Sequence, residues 1–119
     1  MSAQSLQALA GANEIRLEGA RLRREMGAMH FAASRRQCAK LLLNPPDSIA
    51  RMRVGRLLMG VHRLGQVKGQ RMLSLAGLPP AAWEYRVGPR PTRRGMATLS
   101  ARQRWALAAV LAESLGRTR

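Results

Sequence analysis

The chain of 119 residues is the length of one ordinary domain, and its 21 Lys+Arg against 6 Asp+Glu give a formal charge of +15 at pH 7. No apolar run approaches the roughly 20 residues that cross a bilayer, and no basic segment followed by an apolar one opens the chain as a secretory signal does. A lone Cys38 forms no internal disulfide and suits a reducing cytoplasm, and Cys38, His30 and His62 lack metal-ligand spacing, so neither metal nor cofactor is expected.

The charge balance points to a polyanionic partner. All cations but Lys40 and Lys68 are arginine, which a GC-rich genome alone would favour. Codon bias does not explain the shortage of acids: Asp47 is the only carboxylate between Met26 and Trp83.

Residues 2–43 carry no proline and are rich in strong helix formers, which predicts one long N-terminal helix frayed at its start. Ile15, Gly19, Leu22, Met26, Met29 and Ala33 alternate spacings of four and three, the stripe of a helix that packs on a core or a partner. Arg21, Arg24 and Arg35 fall on another face, either an arm for a polyanion or a solvated surface. The apolar stripe is built of small residues and Met, which argues against a membrane-surface helix.

Asn44-Pro45-Pro46 ends this helix, because two prolines remove two donors and push the preceding residue out of the α region. That divides the chain into an arm, 1–43, and a body, 44–119. Asp47 is an N-cap candidate for a short helix to about Arg51. Arg51, Arg53 and Arg56 then crowd within six residues.

From Arg53 to Leu78 the pattern is helix, tight turn, helix. Val54, Leu57, Leu58 and Val61 form the first apolar run; Val67, Met72, Leu73, Leu75 and Ala76 form the second, closed by Gly77. Between them, Gly65 permits a sharp turn, and Gln66, Val67, Lys68 and Gly69 begin a helix whose first N–H groups have no intrahelical partner. Those donors, the positive end of the helix dipole, Lys68 and Arg71 together make either a seat for a backbone phosphate or a corner with solvated cations.

Pro79-Pro80 closes the second helix, and AAWEY after it has room for one helical turn. Trp83 and Tyr85 serve as a core plug or as a stacking surface for bases. Arg86 to Thr98, with two prolines and two glycines, is expected to be a loop. Its Arg90, Arg93 and Arg94 repel one another without a polyanion to meet them. Ser100 and Gln103 form a capping box for a last helix from about Ala101 to Leu115, with Leu107, Val110, Leu111 and Ser114 inward. Arg102 and Arg104 occupy its first turn, where the dipole disfavours cations unless an anion is present.

The segment RMRVGRLLMGVHRLGQVKGQRMLSLAGL, Arg51 to Leu78, resembles the helix–two-turns–helix region of the actinobacterial integration host factor family. The likeness resumes in Pro91-Thr92-Arg93-Arg94 and in Leu99 to Arg104. It implies an all-α protein, a long N-terminal helix packed on a compact helical body. It also implies a nucleoid-associated protein of the cytoplasm, monomeric in solution, that binds double-stranded DNA with little sequence preference, bends and compacts it, and assists a recombinase or integrase. On that pattern Gly65 to Gly69 grip the phosphate backbone, Arg93 and Arg94 supply a basic loop, and Arg51 and Arg53 a basic approach. The chain departs from the pattern at Gly55, where a capping Ser is usual, at Gly69, where Ala is usual, and in a longer loop after Arg94.

Two other readings remain. A ribosomal RNA-binding protein shares the helix–two-turns–helix, but only Arg117 and Arg119 stand for its basic tail. A DNA glycosylase also shares it, but no carboxylate pair equips this chain for catalysis, and no enzyme is expected.

Overall fold

The computed structural model describes residues 2–89 and 97–113. Among the described residues six α-helices follow one another: α1 (Ala3–Ala28), α2 (Phe31–Leu43), α3 (Asp47–Ala50), α4 (Val54–Met59), α5 (Gly65–Leu75) and α6 (Ala101–Glu113), with a 3-10 turn at Pro80–Glu84 between α5 and α6. Among the described residues there is no strand, and the fold is all-α, with a long first helix on a compact helical body.

The predicted single helix over 2–43 is two helices. α1 begins at Ala3, where the Ser2 hydroxyl accepts the Ser5 N–H at 3.2 Å. It stops at Ala28, and Met29 and His30 are extended. No proline or β-branched run breaks it there; tertiary bonds do. Ser34 Oγ, fully buried, donates to the Met26 carbonyl at 2.7 Å and accepts the His62 N–H at 2.9 Å. His62 Nδ1 lies 3.0 Å from the Gly27 carbonyl, and since a carbonyl only accepts, Nδ1 carries the proton. The orphan carbonyls at the end of α1 are thus satisfied from α2 and from the turn before α5.

The break separates Arg24 from Arg35, which no longer share a helix face. Arg21 is held in ion pairs with Glu18 and Glu25, and Arg35 sits 6.0 Å above the Phe31 ring.

α2 belongs to the body. It packs along α6, and Cys38, Leu41 and Leu42 join Leu107 and Leu111 in the core. The core continues through Ile49, Val54, Leu57, Leu58 and Leu73. α1 meets it with Met26 and Gly19 while residues 2–10 stay exposed, so the molecule measures 57 × 31 × 22 Å.

Local boundaries follow the predicted chemistry with small shifts. Pro46, not Asp47, is the N-cap of α3. The capping box is formed: Ser100 N–H donates to Gln103 Oε1 at 2.9 Å, and Gln103 N–H to Ser100 Oγ at 3.1 Å. The segment expected to be a free loop is pinned at both ends. Val54 N–H bonds Tyr85 O at 2.8 Å, Val87 N–H bonds Met52 O at 2.9 Å, and Leu99 N–H bonds Arg86 O at 3.0 Å.

Trp83 is the plug between α4 and α5, and it leaves no room for a Cβ at Gly55 or Gly69. A Cβ on Gly55 would overlap the indole Nε1, and one on Gly69 would lie 2.7 Å from Cζ3. The two glycines are the two walls of a slot for one tryptophan.

Candidate nucleic-acid interface

The turn before α5 is built from two residues of positive φ. Arg63 has φ 58° and Gly65 φ 72°. A Cβ at Gly65 would meet nothing within 4 Å, so its glycine answers the backbone angle and not crowding. Leu64 between them is buried and anchors the turn.

Leu64 is also the N-cap of α5 and offers no side-chain bond, and no acid lies in the first turn. A helix start ordinarily draws Ser, Thr, Asp or a first-turn carboxylate to its free N–H groups. Here they open to solvent beside Gln66, Val67 and Lys68, all exposed, with Arg71 exposed three residues on. Lys68 and Arg71 are neighbours on the helix surface. Donors, dipole and cations converge without a carboxylate to neutralise them.

Val67, expected in the apolar run, is 80% exposed, and Leu75 is exposed as well. The buried face of α5 is narrower than the pattern suggested: Met72 and Leu73 alone carry it, with Gly69 beneath Trp83. Gly69 is therefore a core residue and not a surface contact.

Arg104 is a second correction. Its position places it on the same face as Leu107, Ala108 and Leu111, and it is only 7% exposed. Nε donates to the Leu42 carbonyl at 3.2 Å and Nη1 to the Leu99 carbonyl at 3.4 Å. A cation unfavourable at the start of α6 thus serves the carbonyl end of α2, where the dipole favours it. Arg102, two residues earlier, is exposed.

Arg51 and Arg53 are exposed, away from the α5 turn along the chain, at the α3–α4 corner. Arg53 Nη1 lies 3.4 Å from Glu84 Oε2, a solvated pair of small energetic weight. Arg90, Arg93 and Arg94 lie outside the described residues.

The sequence showed Arg51, Arg53 and Arg56 crowded together but not the surface they form with Arg16 and Arg86. Arg16 on α1, Arg51, Arg53 and Arg56 at the α3–α4 corner, and Arg86 line one cleft. Arg23, two turns beyond Arg16, donates Nε to the Arg56 carbonyl at 3.0 Å, and burial and then the nearby Arg56 charge hold its guanidinium below the usual range. The seven-residue spacing of Arg16 and Arg23 beside Gly19 was the available signal, since it puts both on one flank of α1.

Among the described residues no cluster of His, Cys, Asp or Glu could hold a metal ion, and no helix is long and apolar enough to cross a membrane. Comparison of the chain with protein-family models, with curated proteins and with solved structures finds no match.

Proposed function

We propose that this is a nucleoid-associated architectural protein that binds double-stranded DNA through its phosphate backbone, largely without sequence preference. The observation that carries the reading is the uncapped start of α5. Free N–H groups, the positive dipole end, Lys68 and Arg71 face solvent together, on a chain of charge +15.

A phosphate seated on the Gly65 turn accepts the free N–H groups, and Lys68 and Arg71 neutralise its neighbours. Backbone donors of this kind fix register without reading bases. The exposed Arg51 and Arg102 extend the positive surface, and Arg90, Arg93 and Arg94 add to the charge of the chain. Contacts to separate stretches of one duplex bend it, at a cost of a few kcal/mol that the added contacts offset. Bent, compacted DNA is the substrate a recombinase requires, and the proposed partners are duplex DNA and a recombinase on it. The protein acts as a monomer in the nucleoid and performs no chemistry on the nucleic acid.

The test is fluorescence anisotropy with random DNA and RNA duplexes of equal length at two salt concentrations. DNA is expected to be preferred, with log K falling by about 0.9 per neutralised phosphate per decade of salt. Lys68→Ala with Arg71→Ala should reduce that slope by about 1.8 if each meets one phosphate. RNA bound as tightly as DNA would overturn this reading in favour of a ribosomal-type RNA-binding protein, and an unchanged slope would remove the α5 turn from the interface.

A further inference from the structure

The cleft between α1 and the α3–α4 corner has a volume of about 820 Å³, within the ~300–1,000 Å³ range of small-ligand sites. Arg16, Arg51, Arg53, Arg56 and Arg86 line it, and no carboxylate does. These five arginines come from α1, the α3–α4 corner, α4 and the segment after the 3-10 turn. Arg53 meets Glu84, Arg16 reaches Asn13 Oδ1 at 3.3 Å, and Arg86 Nη1 donates to the Arg51 carbonyl at 3.0 Å.

Two wall atoms lack hydrogen-bond partners. Ser48 is only 7% exposed, and its Oγ is shut off from solvent with nothing to bond; Arg86 Nε is in the same condition. A buried polar group left unpaired costs free energy, and a ligand that bonds it recovers that cost. Ser48 lies under Gly19 of α1, whose Cβ position would be 3.5 Å from the Ser48 carbonyl. An outward movement of α1 would open Ser48 Oγ to a ligand.

The remaining lining is apolar: Leu9, Ile15 and Met52 among it. The cleft therefore offers planar cationic forks for phosphate oxygens and an apolar side wall for a ring.

We propose that this cleft binds a free nucleoside diphosphate or triphosphate, its phosphates on Arg16, Arg56 and Arg86, its β-side oxygens reaching Ser48, and its base against Leu9 and Met52. Bound there, the nucleotide bridges α1 to the body. The site is separate from the α5 turn, and nucleotide binding does not depend on the duplex reading.

The experiment is isothermal titration of the full chain with ADP, GDP and inorganic pyrophosphate, with duplex anisotropy measured on the same variants. ADP or GDP is expected to bind more tightly than pyrophosphate, because the base adds apolar contact. Arg16→Ala with Arg56→Ala, both exposed side chains, should weaken nucleotide binding at least tenfold while circular dichroism stays that of the parent. Ser48→Ala should weaken it by a smaller factor. Lys68→Ala with Arg71→Ala should leave it unchanged. Pyrophosphate binding as tightly as ADP, or a loss caused only by the Lys68 and Arg71 replacements, would overturn the assignment. So would a duplex that expels ADP from the Lys68 and Arg71 variant as readily as from the parent, since the cleft would then be a DNA surface. A parent that binds nucleotide but no duplex would count against the duplex reading alone.

Discussion

Gly69→Ala should destabilise the protein in its parent sequence and stabilise it once Trp83 is made smaller. The new Cβ would lie 2.7 Å from Trp83 Cζ3 and 2.9 Å from Cη2. Carbon atoms rest at about 3.5–4.0 Å, so the indole must retreat by roughly 0.8 Å. Gly55 blocks that retreat, because the other edge of the ring already leans on its Cα. Overpacking of this kind costs about 1–3 kcal/mol. Against it stands the gain of replacing a mid-helix glycine by alanine, about 1 kcal/mol. The net expectation is a loss of about 1 kcal/mol in the parent. In a Trp83→Leu background the steric term disappears and the propensity term remains, so the same replacement should add about 1 kcal/mol. Urea unfolding of the four proteins in this double-mutant cycle reads the sign directly. Equal effects of Gly69→Ala in both backgrounds would refute the slot. Duplex affinity of the folded Gly69→Ala protein should match the parent, since that residue is covered by the indole; a large loss would return it to the interface.

Arg104→Met should cost about 1–3 kcal/mol for each carbonyl it strands, at Leu42 and Leu99, and leave the salt dependence of duplex binding as it was. Ser34→Ala strands the His62 N–H, while the Met26 carbonyl keeps the Met29 N–H at 3.2 Å, and should cost about 1–3 kcal/mol, read by thermal melting and by faster hydrogen exchange at His62; an unchanged melt would mean the corner holds without it. Burial pushes the Cys38 thiol from its ordinary 9.0 up to about 12, so its contribution to stability is full below 9.0 and fades as pH rises toward 12. The fall should be up to about 1.4 kcal/mol per pH unit in the parent relative to Cys38→Ala. A constant difference between the two proteins from pH 8 to 11 would sink that account.

The sequence by itself determined the local grammar of this protein. Pro45-Pro46 and Pro79-Pro80 stop helices because they lack donors. Gly65 and Gly77 adopt φ 72° and 78° because the turns there need a left-handed residue. Ser100 and Gln103 close a capping box across three residues. The helical class and the open, cationic start of α5 were legible for the same reason: each depends on neighbours along the chain.

What only the tertiary structure decided depends on neighbours across it. The α1–α2 break is enforced by Ser34 and His62, one of them 28 residues from the other, and no local pattern encodes that pairing. Arg104 looked like a surface cation until α2 supplied a carbonyl end 62 residues away to receive it. Gly55 and Gly69 looked like two unrelated departures until one indole was found between them. The arginine cleft joins α1, the α3–α4 corner and Arg86, and charge counted along the chain cannot show which cations the fold will gather in one place.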